Sequence, residues 1–182
     1  DIIDYGTTDE GTQYLVMPLL KGEGLDARLS RQPPSIVELL GWMRGVLGGL
    51  AAMHDKGVVH RDLKPANVFL AQDADGVVPK LLDFGISRRE GAEGAGLTAM
   101  GTAIGTPRYM APEQFESARD VDARADVWSA GAMLYEALAG RAPYESDDAF
   151  AIYRAILQGE PPRLESLRGE LAVELCELVH RA

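Results

Sequence analysis

The chain has 182 residues, and its 46% hydrophobic content is enough for one domain with a buried core. The formal net charge of −10 argues against a nucleic acid or an acidic membrane surface as a partner. The one cysteine, Cys176, allows no disulfide within the chain, which favours a reducing, cytosolic setting.

A β-hairpin is the first predicted element. Ile2 to Tyr5 and Tyr14 to Met17 are strand-like, and the polar loop 6–11, with glycine at both ends, joins them. The chain starts inside this pattern without a methionine and ends at Ala182 inside a helical pattern. We therefore expect it to be an excerpt of a longer gene product.

Two helices are predicted to follow the hairpin. Leu25 to Arg31 form a short helical turn that Pro33 and Pro34 stop. Ser35 and Glu38 form a capping box at the start of a long helix, which we expect to end at Gly57.

Gly45, Gly48 and Gly49 are expected to weaken that long helix. A glycine costs a helix about 1 kcal/mol relative to alanine. We therefore expect close packing against a neighbouring element to compensate for this cost.

The stretch from His60 to Asn67 reads His-Arg-Asp-Leu-Lys-Pro-Ala-Asn. A second predicted hairpin follows it, with strands at 68–70 and 80–82 around the turn 73–76. That hairpin leads into Asp83-Phe84-Gly85, sixteen residues after Asn67. Alone, the 60–67 stretch could be a solvated surface loop, and an isolated Asp-Phe-Gly is too common to indicate a function.

Residues 87–105 are rich in glycine, alanine and charge, and they show little periodicity. Gly91 to Gly96 could be taken for a loop that binds phosphate, but the flanking strand and the following Val and Lys are missing. A flexible linker is the better interpretation. The segment ends in Gly-Thr-Pro-Arg-Tyr-Met-Ala-Pro-Glu at 105–113.

Three more helices are predicted in the last third of the chain. Asp126 opens Asp-Val-Trp-Ser-Ala-Gly, and we expect it to cap a helix that runs to Ala139 and ends at Gly140. The ranges 147–158 and 170–181 have amphipathic helical patterns.

Four of these motifs, at 60–67, 83–85, 105–113 and 126–131, stand in an order that resembles protein kinases. The residues of the 105–113 motif and the Gln that follows it are most similar to those of bacterial serine/threonine kinases of the eukaryotic type. The resemblance implies an α+β, protein-kinase-like fold with a mostly helical C-lobe and the last two strands of the N-lobe sheet. It divides the chain into the end of the N-lobe sheet (1–17), the hinge (18–24) and the C-lobe (25–182).

The resemblance also implies roles for single residues. Asp62 would accept the proton of the substrate hydroxyl, and Lys64 would lie beside the transferred phosphoryl group. Asn67 and Asp83 would bind Mg²⁺, and Thr106 would hydrogen-bond toward Asp62 and Lys64.

Other residues would form the ATP site. Met17 would be the gatekeeper at the back of the pocket, although ordinary strand core explains it as well. Pro18 and Leu20 would meet the adenine through backbone groups, and Pro18 keeps its carbonyl although it lacks an N–H. Phe69 would form the floor of the pocket, where a core phenylalanine would look the same.

Regulation is expected in the 87–105 region. Thr98 and Thr102 lie where such kinases are often phosphorylated, and Arg61 would pair with the phosphate. Either threonine could instead be a solvated loop residue. Asp126 is expected to hydrogen-bond to the backbone of the 60–67 loop from a central buried helix.

The expected function is an ATP-dependent protein serine/threonine kinase, with a pseudokinase that only binds partners as the alternative. A small-molecule phosphotransferase of the same fold is the third possibility. The glycine-rich loop, the strand lysine and its partner glutamate are not in the 182 residues, and Lys21 follows the hinge. We therefore expect the chain alone to be nearly inactive.

We expect a cytoplasmic domain, because the sequence has no signal peptide and no apolar run judged long enough to span a bilayer. An anchor outside the chain would be compatible with this expectation.

Overall fold

The computed structural model describes residues 3–83, 107–116, 121–146 and 148–182. In these ranges the chain forms five short strands and seven α-helices, and the helices dominate after residue 25. The α+β fold class predicted from the sequence is confirmed.

The first hairpin consists of β1 (Asp4–Thr7) and β2 (Gln13–Val16), which pair antiparallel with Tyr5 opposite Leu15. This prediction is confirmed. The apolar side chains of the hairpin are largely exposed, with Tyr5 at 78% and Leu15 at 53% of their full accessible surface.

A second antiparallel sheet has the order β3-β4-β5, with strands Gly22–Gly24, Val68–Asp73 and Gly76–Leu81. The β4–β5 hairpin is confirmed, and its tight turn uses Gly76 at φ 129°. Strand β3 was not predicted. Its Gly22 has φ 146°, and a Cβ there would lie 2.0 Å from the Leu70 carbonyl oxygen, so the pairing requires glycine.

Both predicted N-terminal helices are present, α1 (Leu25–Arg31) and α2 (Ile36–His54). The capping box is confirmed, because the Ser35 hydroxyl accepts from the Glu38 N–H at 3.2 Å and Glu38 accepts from the Ser35 N–H at 2.9 Å. The predicted end of α2 is three residues late. Gly57, at φ 71°, instead donates its N–H to the His54 carbonyl at 2.8 Å in the turn that follows the helix.

Helix α2 packs one face into the core, against β5 and α4. The buried residues of that face are Leu39, Trp42, Met43, Val46 and Leu50. By length and composition α2 could also cross a membrane, so the expectation that no apolar stretch reaches that length is wrong. Its packing against β5 and α4 is that of a core helix in the fold.

Of the three glycines named above, Gly45 and Gly49 have the expected close neighbour. A Cβ at Gly45 would lie 2.4 Å from the Pro79 ring, and one at Gly49 would lie 3.1 Å from the Leu81 side chain. The helix thus approaches β5 closely at these two glycines. At Gly48 a Cβ would meet nothing within 4 Å, so packing does not compensate there.

Helix α4 (Arg124–Ala139) is the central helix, and it buries nine of its sixteen residues. The prediction that Asp126 caps it is wrong. The N-cap is Ala123, and Asp126 is the third residue of the helix, where its buried carboxylate bonds to a distant loop instead. The predicted end is confirmed, because Gly140 adopts a left-handed C-cap at φ 74°.

Four more helices are present in the described residues. They are α3 (Pro112–Glu116), α5 (Ala149–Gln158), α6 (Leu164–Leu167) and α7 (Val173–Arg181). Among them, α6 and α7 pack against α4. The two predicted C-terminal helices are confirmed as α5 and α7, although α7 begins three residues later than expected, and α6 was not predicted. Helices α1, α2, α4, α6 and α7 and strand β4 share one hydrophobic core, in which Cys176 is fully buried.

Candidate active site

The 60–67 loop is fastened to the central helix by the carboxylate of Asp126. This side chain is fully buried and accepts the backbone N–H groups of His60 and Arg61, both at 2.8 Å. The ring of His54, at the end of α2, donates its Nε2–H to the same carboxylate at 2.7 Å. The expected bond from Asp126 to the loop backbone is confirmed, and these bonds compensate for burying the charge.

His60 fixes the loop from the other side. It is fully buried, and its Nε2 lies 3.0 Å from the Leu82 carbonyl oxygen while its Nδ1 faces the Asp62 N–H at 3.4 Å. This pattern requires the neutral tautomer with the proton on Nε2. The histidine therefore joins the 60–67 loop to the end of β5.

The backbone of the site is held in a conformation that side chains rarely adopt. Among the described non-glycine residues, Arg61 and Asp83 have left-handed φ angles, 65° and 51°. Such a conformation costs roughly 1 kcal/mol or more, and it persists where surrounding bonds maintain it. Arg61 belongs to the 60–67 motif and Asp83 to the 83–85 motif.

Three of the predicted side chains meet directly. Lys64 Nζ lies 3.0 Å from Asp62 Oδ2, and the Asn67 side-chain amide donates to the same oxygen at 3.1 Å. Asn67 also donates to the Asp62 carbonyl at 2.7 Å, so it fixes both the backbone and the carboxylate of Asp62. The Asp62 side chain retains 27% exposure, so a substrate could reach it.

Asp83 directly follows Leu82, the residue whose backbone is hydrogen-bonded to Asn67. The Leu82 N–H donates to the Asn67 carbonyl at 2.9 Å, which continues the β4–β5 ladder in which Val68 pairs with Leu81. Asn67 supplies an amide oxygen and Asp83 an exposed carboxylate, and oxygen donors of this kind are those that Mg²⁺ prefers. The residues present therefore fit the expected metal.

The predicted adenine-binding residues lie around the entry to β3. Met17 is 56% exposed and Pro18 is exposed, while Leu20 is partly buried. The carbonyl of Lys21 accepts the Gln72 N–H at 2.7 Å, and Phe69 pairs with Gly24. The half-buried Phe69 thus lies on the strand that pairs with β3, the last part of the predicted hinge segment.

Residues 107–116 pack against both the 60–67 loop and α4. Within them, a 3₁₀ turn (Pro107–Tyr109) precedes α3. Ser129 donates its hydroxyl to the Tyr109 carbonyl at 2.7 Å, and the Tyr109 hydroxyl donates to Glu136. Burial, and then the bond to Glu136, raise the pKa of Tyr109 well above its ordinary value, so the phenol stays protonated.

Four further polar residues of this region were not predicted from the sequence, namely His54, Gln114, Ser129 and Glu136. Their contacts cross between elements, so local patterns give little sign of them. Asp126 and Ser129 do stand three apart on one face of α4, and two polar residues on the buried face of a helix are a usable signal.

Several predicted residues lie outside the described residues. Thr106, Thr98, Thr102, Phe84 and Gly85 are among them. Arg61, the predicted partner of a phosphorylated threonine, is described. Its guanidinium donates to the Val121 carbonyl at 3.2 Å.

Comparison with known sequences gives a consistent result. A family model described as "Protein kinase domain" matches residues 2–174. The chain is 41% identical over 145 residues to the serine/threonine-protein kinase pkn2 of Myxococcus xanthus, covering 79% of this chain and 17% of the relative. It is 38% identical over 167 residues to the serine/threonine-protein kinase PknL of Mycobacterium tuberculosis, covering 91% of this chain and 40% of the relative. The chain thus spans less than half the length of these relatives.

Proposed function

The chain belongs to the protein kinase domain family, and we propose that the full-length protein is an ATP-dependent protein serine/threonine kinase. The observation that carries the proposal is the cluster of Asp62, Lys64 and Asn67, with side-chain contacts of 3.0 and 3.1 Å around one carboxylate oxygen. The names of the matched relatives, which are serine/threonine-protein kinases, support the same substrate class.

The proposed reaction is in-line transfer of the γ-phosphoryl group of ATP to a serine or threonine hydroxyl. The hydroxyl oxygen attacks the γ-phosphorus while its proton passes to the Asp62 carboxylate, and the bond to the β-phosphate oxygen breaks to release ADP. Lys64 offsets negative charge on the transferred group, and Thr106, which lies outside the described residues, would hydrogen-bond toward Asp62 and Lys64.

Asn67 and Asp83 would hold Mg²⁺, which would neutralise charge on the ATP phosphates. Met17, Pro18, Leu20 and Phe69 would hold the adenine. It remains a prediction that Thr98 or Thr102 is phosphorylated and that Arg61 binds the phosphate, which would regulate the activity. Because ATP and Mg²⁺ are abundant in the cytoplasm, we place this domain there, with protein substrates and no nucleic acid partner.

The activity is proposed for the full-length protein and not for the 182 residues alone. The glycine-rich loop and the strand lysine of the family do not occur in this sequence, and positioning of the phosphates depends on them. Labelled ATP with Mg²⁺ should therefore label a generic serine/threonine substrate with the full-length protein, and hardly at all with the chain alone.

The decisive variant is Asp62→Asn in the full-length protein. It removes the proton acceptor and keeps the size of the side chain, so transfer should fall by a factor of about 10³ or more while the unfolding midpoint stays near that of the wild type. Asp75→Asn, the same change at the exposed β4–β5 turn, is the control and should keep full activity. Full activity of Asp62→Asn would contradict the proposal. ATP binding without any transfer in the wild type would favour the pseudokinase.

A further inference from the structure

Gln114 joins two segments that are far apart in the sequence. Its Nε2 donates to the Arg61 carbonyl at 2.8 Å, and its Oε1 accepts the Ala111 N–H at 3.0 Å. A carbonyl requires a donor and an N–H requires an acceptor, so these bonds use both ends of the side-chain amide in one defined orientation. One side chain thereby connects the 60–67 loop to the 107–116 segment.

The Arg61 carbonyl is next to the proposed proton acceptor. It belongs to the same planar peptide unit as the Asp62 N–H. A bond that fixes the carbonyl therefore also fixes the position and orientation of the Asp62 backbone nitrogen. The contact from the Asp62 N–H to His60 Nδ1 is long, at 3.4 Å, whereas the bond from Gln114 is 2.8 Å. Gln114 is therefore the stronger of these two restraints on the peptide unit.

Arg61 also needs restraint because its backbone is left-handed, at φ 65°. Asp126 holds its N–H at 2.8 Å from α4, and Gln114 holds its C=O from α3. These two bonds act on opposite sides of the residue, and each opposes relaxation to a commoner backbone conformation.

We propose that Gln114 is a positioning residue for the phosphoryl transfer, acting through the Arg61–Asp62 peptide unit. This inference rests on the proposed function. Gln114 fixes the direction in which Asp62 presents its carboxylate, and through Ala111 it couples that direction to the placement of the 107–116 segment. A small cavity between the two segments is lined by Asp62, Lys64, Tyr109, Gln114 and Ser129, so the coupling acts at the site itself.

Two substitutions in the full-length protein separate the two bonds. Gln114→Met keeps the length of the side chain and removes both bonds, whereas Gln114→Glu keeps an acceptor for Ala111 and removes the donor to Arg61. We expect kcat to fall about tenfold or more in both variants, with an unchanged KM for ATP, because a small misplacement of a reacting group is costly. Gln158→Met, the same change at an exposed helix end, should leave kcat unchanged. A wild-type kcat in Gln114→Glu would overturn the proposal, because the bond to Arg61 would then be dispensable.

Hydrogen exchange provides a readout that is independent of activity. In Gln114→Met, amides in peptides covering 60–64 should exchange faster than in the wild type, while peptides covering 39–50 of α2 should not change. Faster exchange in both regions would indicate general destabilisation and would overturn the proposal, as would no change in either. If the wild type transfers no phosphate, the proposed function fails, and the exchange data still decide whether Gln114 holds the 60–67 loop.

Discussion

Asp126 is the residue on which the arrangement of the site depends most. It is a fully buried carboxylate, and it reaches the backbone of His60 and Arg61 and the ring of His54. A helix-capping role would be satisfied by local N–H groups, but this carboxylate is satisfied by residues more than 60 positions away. The Asp126 carboxylate therefore anchors the 60–67 loop to α4.

Asp126→Asn should lower the free energy of unfolding by about 3 kcal/mol or more, because an NH₂ group would then face N–H donors inside the protein. Denaturant unfolding of the variant and the wild type measures the difference. Asp9→Asn, in the exposed β1–β2 loop, is the control, and equal effects of the two changes would contradict this account.

Glu38 gives a prediction about pH. The side-chain hydrogen bond with Ser35, followed by the Ser35 backbone N–H, holds the pKa of Glu38 below its ordinary value. A carboxyl group whose pKa is lower in the folded state stabilises the fold above its unfolded pKa, and this contribution is lost as the pH falls through the lowered value. An NMR titration of Ser35→Ala should show the Glu38 pKa moving back up, whereas Ser30→Ala in α1 should leave it in place.

Helix α2 shows how an element can carry glycines for different reasons. Gly45 and Gly49 let β5 approach, but Gly48 has open space around the position of its missing Cβ. The close approach matters for function because β5 leads directly to Asp83. Local helix propensity treats these glycines alike, and the neighbouring sheet distinguishes them.

Gly48→Ala should raise the free energy of unfolding by about 0.5–1 kcal/mol, because alanine is the better helix former and meets no neighbour. Gly45→Ala should lower it, since its Cβ would lie 2.4 Å from the Pro79 ring. Thermal or denaturant unfolding compares them directly. A destabilising Gly48→Ala, or a stabilising Gly45→Ala, would contradict this packing.

In the molecule as a whole, the elements differ in how they are anchored. Helices α1, α2, α4, α6 and α7 and strand β4 share one core, and β4 carries Phe69 and begins directly after Asn67. The β1–β2 hairpin contributes no residue to that core and exposes apolar side chains, with Leu19 just after it at 96%. A two-stranded hairpin has little stability of its own in water.

In the 182-residue chain, amides of β1 and β2 should therefore exchange with solvent at least about tenfold faster than those of β4 and β5. Exchange followed by mass spectrometry resolves the two hairpins, and each serves as the control for the other. Equal protection of both hairpins would show that β1 and β2 are held by contacts beyond their own pairing.

The sequence by itself was sufficient where the determining interactions are local. The Ser35–Glu38 capping box, the two hairpins and the Gly140 helix end were all predicted correctly, because each depends on residues a few positions apart. The family followed from motif order in the same way. The proposed roles of Asp62, Lys64 and Asn67 come from one short loop, and that loop does bring their side chains together.

Tertiary structure decided the contacts that cross the chain. Strand β3 exists because β4 is available to pair with it 45 to 49 positions later, and Asp126 bonds to a loop 65 and 66 positions away. Gln114 meets Arg61 across 53 positions. Such partners are selected when the core forms and buried polar groups must find donors and acceptors, and no local pattern specifies which ones will be near.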